Sequence, residues 1–219
     1  LKDYIVSKNP KKIGINVSSF EPLADGLSKY HYDQFYNILP QKFKNRVVSA
    51  EDLAIAWIET RTELEMTVYS QLVEISSSII REAFSTKVIT PGITSTDDVV
   101  WWMREKVLEL GLDTWFHPTV DVQRKDNSDL YAFDNKSKLD IIQPGDLIHC
   151  DFGITYLTLN TDTQELGYIL KPGEKSAPDF LVDAMGEGNR VQDIFTNNFK
   201  YGATGNEILK KSLEEGRAE

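Results

Sequence analysis

The chain has 219 residues, of which 41% are hydrophobic and 26% are charged, as in an ordinary folded globular protein. Its net charge of −10 argues against binding nucleic acids or anionic membranes through a broad basic face. No apolar run is long enough to predict a transmembrane helix, and no apolar core of a signal peptide is visible. The single cysteine, Cys150, excludes an internal disulfide and is predicted to be a buried thiol. One thiol says little about the compartment, which stays unknown with the cytoplasm slightly favoured.

The first fifty residues predict a strand, a helix and a second strand. Residues 11–18 are typical of a strand, and residues 29–39 have helical spacing that ends before Pro40. A short strand precedes the helix that starts near residue 50. This piece is too short to bury a good core by itself.

Residues 53–84 predict one long amphipathic helix. Its apolar side chains recur at steps of three and four and so share one face: Leu64, Val68, Leu72, Ile75 and Ile79. Ser95 and Asp98 predict the capped start of a second helix, which Gly111 ends. Residues 180–199 and the stretch after Thr204 predict two more helices. Helices and strands mix without regular alternation, which predicts an α+β fold.

The stretch HCDFGITYLTLNTD, which begins at residue 149, predicts two antiparallel strands. If Tyr156 and Leu157 form the tip, Asp151 lies opposite Asp162, and two carboxylates about 5 Å apart favour a divalent cation between them. Alternatively, the turn lies at residues 160–163, and Asp162 is solvated. The pattern alone favours this second interpretation, because Tyr and Leu are poor residues for a two-residue turn.

The three histidines give weaker signals. His149 shares a strand face with Asp151. It is either a third or supporting metal ligand or simply a packed side chain. His117 is predicted to be structural, and His31 is predicted to lie on the surface of a helix. The sequence contains no glycine-rich phosphate loop and no nucleophile elbow of a serine hydrolase.

The segment IIQPGDLIHCDFGITYLTLNTDTQELGYIL resembles the pita-bread metallopeptidases, which comprise methionine aminopeptidases, Xaa-Pro aminopeptidases and creatinase. In that family a strand of the form PGDLV.ID.G carries a metal-ligating Asp, and a second Asp follows eleven residues later. Asp151 and Asp162 match both in type and spacing. Three further segments resemble family segments in the family's order: ETRTELEMTVYSQLVEISSSIIREAF, TPGITSTDDVVWWMREKVLELGLD and GEGNRVQDIFTNNFKYGATGNEI.

The resemblance implies the first half of a pita-bread fold, with long helices packed on an antiparallel sheet. It assigns residues 53–219 to a partial metallopeptidase domain and residues 1–52 to the remnant of a creatinase-like N-terminal α/β domain. That N-terminal remnant favours the Xaa-Pro aminopeptidase branch of the family. The implied cofactors are two divalent ions in the complete protein, chosen from manganese, cobalt, zinc and iron.

The chain also departs from the family pattern. The family's site adds one His and two Glu from the second half of the fold, and no His follows His149 here. The upstream position of the family's substrate-binding His is occupied by Asp134 or Phe133. We therefore expect either a fragment of a longer peptidase, inactive by itself, or a catalytically dead relative.

The function expected from the resemblance is peptide-bond hydrolysis by a binuclear metal aminopeptidase of the Xaa-Pro type. Its metal ligands in this chain are Asp151 and Asp162, while no catalytic or substrate-binding residue is assigned. The expected partner is a peptide substrate, with a homodimer as an option and neither nucleic acid nor membrane. The alternative is a non-catalytic pita-bread-like module that binds peptides or proteins.

Overall fold

A computed structural model describes residues 1–124 and 140–218 of the chain. The chain divides into two compact units, Leu1–Thr67 and Val68–Glu219. Helices and mostly antiparallel strands mix along it, which confirms the predicted α+β class. Within the described ranges, no helix combines the length and the apolar character that crossing a membrane requires. The predicted domain division after residue 52 stays a prediction.

The first unit is built around two short parallel strands. Its elements in chain order are α1 (Lys2–Lys8), β1 (Ile13–Ile15), α2 (Lys29–Ile38), α3 (Gln41–Lys44), β2 (Val47–Ser49) and α4 (Glu51–Glu59). In the parallel pair, Ile13 of β1 lies beside Val47 of β2. Ile5, Leu39 and Phe43 are buried together and form a small core, in keeping with the shortness of this segment.

The prediction of one continuous helix over residues 53–84 is wrong, because the helix is interrupted at residues 60–62, which are not helical. A new helix, α5 (Glu63–Ala83), starts after this break. The break is stabilised by a reciprocal cap, in which the Thr62 amide donates to Glu65 Oε2 over 2.7 Å and the Glu65 amide donates to Thr62 Oγ1 over 3.2 Å. These bonds satisfy amide groups that a helix start leaves unpaired.

The second unit, from residue 68 onward, packs helices on antiparallel strands. After α5 its elements are α6 (Thr96–Glu109), β3 (Asp113–Thr114), β4 (Thr119–Gln123), β5 (Leu147–Phe152), β6 (Ile154–Tyr156), β7 (Leu159–Asn160), β8 (Thr163–Tyr168), α7 (Asp179–Asn197) and α8 (Gly205–Ala218). The strands form two antiparallel sheets with the orders β4-β5-β8 and β3-β6-β7. The two predicted late helices correspond to α7 and α8.

The core of the second unit lies between α5, α6 and one face of β5. Ile148, Cys150 and Phe152 of β5 are fully buried, together with Ile79 of α5 and Met103 of α6. This confirms that Cys150 is a buried free thiol. Because successive strand residues point to opposite faces, the other face of β5 carries the residues between these.

The predicted start and end of α6 are confirmed. Ser95 and Asp98 form a complete capping box, in which the Asp98 amide donates to Ser95 Oγ and the Ser95 amide donates to the Asp98 carboxylate. Gly111 follows the helix with φ of +70°, a conformation that glycine adopts without strain. The cap fixes where α6 begins and hence where its apolar stripe meets the sheet.

Candidate metal centre

The face of β5 that is turned away from the core carries His149 and Asp151, both of them half-buried. β5 is the middle strand of its sheet, so each residue has a neighbour on both sides. Asp151 lies opposite Thr119 of β4 and opposite Gln164 of β8. Two ladders of backbone hydrogen bonds thus fix the backbone of Asp151.

Both predictions for the tip of the hairpin are wrong. The tip is formed by Leu157 and Thr158, since Tyr156 pairs with Leu159. Leu157 adopts φ of +55°, which side chains of L-residues rarely take. The resulting register sets Gln164, not Asp162, opposite Asp151. This avoids a direct cross-strand pair of like charges, which would be destabilising.

The structure nevertheless brings Asp151 and Asp162 together. Asp162 precedes β8 by one residue and is two positions from Gln164, so it neighbours Asp151 diagonally on the same face. Partial burial raises the pKa of Asp151, the negative charge of Asp162 raises it further, and the nearby His149 opposes the rise. The predicted metal site requires Asp151 and Asp162 to be neighbours. They are neighbours in the structure, although the strand register differs from the one that the sequence suggested.

One oxygen of this pair lacks a hydrogen-bond donor. Asp151 Oδ1 is buried and accepts no hydrogen bond, while Oδ2 accepts a long bond of 3.4 Å from Gln164 Nε2. A buried carboxylate oxygen without a donor is costly unless a cation neutralises it. Carboxylate oxygens are ligands that divalent ions such as Mn²⁺ or Mg²⁺ accept. These two acids therefore fit a divalent cation.

Gln164 and Asp121 are two residues of this face that the sequence analysis missed. Gln164 Oε1 lies 3.0 Å from His149 Nε2, so the glutamine links His149 to Asp151. Asp121 of β4 lies opposite His149 in the ladder. Only the strand pairing brings these side chains to Asp151, and no local sequence signal reveals that pairing.

The remaining candidates do not join the Asp pair. His117 is exposed and its Nδ1 lies 2.8 Å from Arg104 Nη1, while His31 belongs to the first unit and lies 3.0 Å from Ser28 Oγ. Asp134 and Phe133 lie outside the described residues. Over residues 1–124 and 140–218, no three His, Cys, Asp or Glu side chains are grouped so that they could hold a metal ion.

Solved structures of peptidases share this fold. An X-Pro aminopeptidase of Thermotoga maritima MSB8 is 19% identical over 99% of this chain and 56% of its own, with a TM-score of 0.68. A Xaa-Pro dipeptidase of Bacillus anthracis is 18% identical over 99% and 56%, with a TM-score of 0.65. A prolidase of Pyrococcus furiosus is 18% identical over 88% and 53%, with a TM-score of 0.56.

The chain thus spans little more than half the length of these structures. No curated protein sequence matches it. A family profile described as metallopeptidase family M24 matches residues 68–214, which is well over half of the chain and contains both Asp151 and Asp162. The chain belongs to metallopeptidase family M24.

Proposed function

We propose that Asp151 and Asp162 hold divalent metal in a peptide hydrolase of the Xaa-Pro aminopeptidase type. The observation that carries the proposal is the buried, donor-free Oδ1 of Asp151 beside a second carboxylate. The match of residues 68–214 to a metallopeptidase family supports the same assignment. In the full-length gene product, the site would hold two divalent ions, with manganese and cobalt as the first candidates.

The protein's own residues prepare this site in three ways. β5 is paired on both sides, so Asp151 needs little reorganisation when a cation arrives. The Gln164 amide donates to Oδ2 of Asp151 and leaves Oδ1 for the cation. The contact between Gln164 and His149 holds that amide in place.

A divalent metal bound to such carboxylates lowers the pKa of a bound water and polarises a scissile carbonyl. The face that carries Asp151 and Asp162 is half-buried to exposed, so an extended peptide can approach it. The three similar structures are those of an X-Pro aminopeptidase, a Xaa-Pro dipeptidase and a prolidase. We extend that specificity to this protein and expect peptides with proline in the second position as substrates.

The proposal is tested by Mn²⁺ binding, followed by electron paramagnetic resonance, in the wild type and in single Asp→Asn variants. Asp151→Asn and Asp162→Asn should each weaken binding by about tenfold or more, because each removes a charged ligand. Asp183→Asn, on the exposed surface of α7, is the matched control and should bind as the wild type does.

Hydrolysis of an Xaa-Pro tripeptide by the full-length gene product, with and without Mn²⁺, tests the activity itself. We expect Mn²⁺-dependent cleavage that Asp151→Asn abolishes. Absence of both Mn²⁺ binding and turnover would contradict the proposal. Peptide binding without cleavage would instead support the alternative of a non-catalytic binding module.

A further inference from the structure

A tryptophan that follows a distant strand contacts the backbone beside Asp162. The Trp115 indole Nε1 donates a hydrogen bond of 2.6 Å to the carbonyl oxygen of Thr161, the residue before Asp162. Trp115 directly follows β3, whose register pairs Thr114 with Ile154. Continued by one residue, this register places Trp115 beside Gly153, so the indole crosses the β5–β6 junction to reach Thr161.

Gly153 is the residue that leaves room for this crossing. A Cβ atom at Gly153 would lie 2.2 Å from Trp115 Nε1 and 2.3 Å from the Thr161 carbonyl oxygen. Such distances are far below van der Waals contact, so any side chain here would push the indole away from its acceptor. Gly153 is thus required by the space between two strands and not by its backbone torsions, since its φ is not positive.

The side chain of Thr161 is held by hydrogen bonds to Ile154 and Ser76, in addition to the contact of its carbonyl with Trp115. Thr161 is fully buried, and its Oγ1 accepts a hydrogen bond of 3.0 Å from the Ile154 amide. The same hydroxyl donates over 3.3 Å to Ser76 Oγ, which belongs to α5 and is itself fully buried. Ser76 Oγ also lies 3.3 Å from Thr163 Oγ1. Both chain neighbours of Asp162 are therefore anchored to α5.

Asp162 itself is exposed and lies in a stretch between β7 and β8. An exposed carboxylate on such a stretch would lose conformational freedom on binding a metal, and that loss weakens affinity. Anchoring of both neighbours removes this freedom before the metal arrives. The buried hydroxyls of Thr161 and Ser76 otherwise add little that an apolar core would lack, and a buried hydroxyl costs stability when its partner is missing.

We propose that Trp115, Gly153, Thr161 and Ser76 are positioning residues, which hold Asp162 at the place where it binds metal with Asp151. This inference rests on the proposed function, because it takes Asp162 as a metal ligand. It assigns a role to four residues that contact no metal. Supporting partners of metal ligands typically change metal affinity by about 10–100-fold when they are removed.

The test measures the Mn²⁺ dissociation constant by electron paramagnetic resonance in matched variants. Trp115→Phe removes the indole N–H together with part of the ring, a loss of volume that the Trp101→Phe control shares. Thr161→Val removes the hydroxyl at nearly constant shape, and Ser76→Ala removes the acceptor of that hydroxyl. Each should weaken Mn²⁺ binding by about tenfold. Thr161→Ser keeps the hydroxyl and its hydrogen bonds, so it should bind within about twofold of the wild type.

Two controls separate positioning from general damage. Trp101→Phe, at a tryptophan of α6 that is 56% exposed, and Ser78→Ala, at an exposed serine of α5, should leave Mn²⁺ affinity unchanged. Amide hydrogen exchange without metal gives an independent measurement. In Trp115→Phe, exchange at Thr161 and Asp162 should speed up, while exchange at Ile148, a fully buried residue of β5, should not change.

The outcomes distinguish this inference from the function on which it rests. If the wild type binds no Mn²⁺, the proposed function fails and the inference fails with it. If the wild type binds and the three variants bind equally well, only the inference is overturned. Unchanged exchange at Asp162 in both Trp115→Phe and Ser76→Ala would overturn it too, whatever the metal does.

Discussion

Asp146 and Asp151 lie five residues apart, and their carboxylates have opposite surroundings. Asp146 is 3% exposed and is held by its own cation: Arg124 donates from Nε over 2.7 Å and from Nη2 over 2.8 Å, and the Gln143 amide adds a bond of 2.7 Å. Asp151 has a second acid, Asp162, as its charged neighbour, and one of its oxygens is buried without a donor.

The comparison separates a structural carboxylate from a candidate ligand of a cation. A buried carboxylate with an internal guanidinium is electrostatically complete and stabilises the packing around it. A carboxylate that faces another acid is incomplete until a cation arrives from solution. Burial alone would point to Asp146 as the candidate cation ligand, whereas the balance of nearby charges points to Asp151.

The largest effect on stability should come from removing the guanidinium of Arg124, which pairs with Asp146. Arg124→Met leaves Asp146 buried without its counter-charge, and we expect the free energy of unfolding to fall by about 3 kcal/mol. Urea denaturation measures this change. Arg81→Met, in an exposed pair with Glu74, is the control and should cost less than about 1 kcal/mol. Equal losses of unfolding free energy in both variants would show that the pairing of Asp146 stabilises the protein no more than a surface ion pair does.

A smaller loss is expected at Gly153, beside the incomplete pair. Gly153→Ala forces the Trp115 indole and the Thr161 carbonyl apart, and overpacking of this kind costs about 2 kcal/mol. Gly188→Ala is the matched control, because no atom lies within 4 Å of a Cβ there and the position is inside α7. The control should gain up to about 1 kcal/mol in thermal or urea unfolding. A neutral Gly153→Ala would show that the Trp115 contact is not formed.

Neutralising one acid of the Asp151–Asp162 pair should raise the free energy of unfolding, in contrast to the two losses above. Without divalent ions, Asp151→Asn removes a like-charge contact with Asp162, and the protein should gain about 0.5 kcal/mol of stability. Excess Mn²⁺ should reverse the order, because only the wild type binds it well. Thermal unfolding with EDTA and with Mn²⁺ measures both arms. A destabilised variant in EDTA would mean that Asp151 has an internal cationic partner.

The pH dependence of that gain provides the smallest and sharpest signal. The folded-state pKa of Asp151 is raised above its usual 3.8, so folding favours its protonated form. The stability that this preference contributes is complete below the unfolded pKa and is lost as pH rises through the folded pKa. Wild type and Asp151→Asn should therefore converge in stability below the unfolded pKa of 3.8 and diverge as the pH rises through the folded pKa. A difference in unfolding free energy that is constant over this range would exclude the raised pKa.

Local features of the sequence predicted local structure well. The Ser95–Asp98 capping box and the end of α6 at Gly111 depend on residues a few positions apart, and the structure confirms them. The break before α5 carries an equally local signal, the Thr62–Glu65 cap, which the helical spacing of the surrounding residues hid. Periodicity reports which face is apolar and does not show whether the helix is continuous.

The register at the candidate site could not be predicted locally. The tip at Leu157 and Thr158 uses a backbone conformation that Leu disfavours. The Trp115 contact that accompanies it spans 46 residues, so no window around the hairpin contains it. The spacing between Asp151 and Asp162 identified the pair, and the neighbouring strands decided how the two acids meet.

Cys150, the only cysteine of the chain, lies on the strand that carries Asp151 and points to the opposite side of the sheet. Burial raises its pKa to about 12, so the native thiol is almost entirely protonated at neutral pH and unreactive. A thiol reagent can modify it only when β5 separates from the helices. The protein thus contains an intrinsic reporter: the rate of thiol labelling gives the frequency at which β5 opens, without any introduced probe.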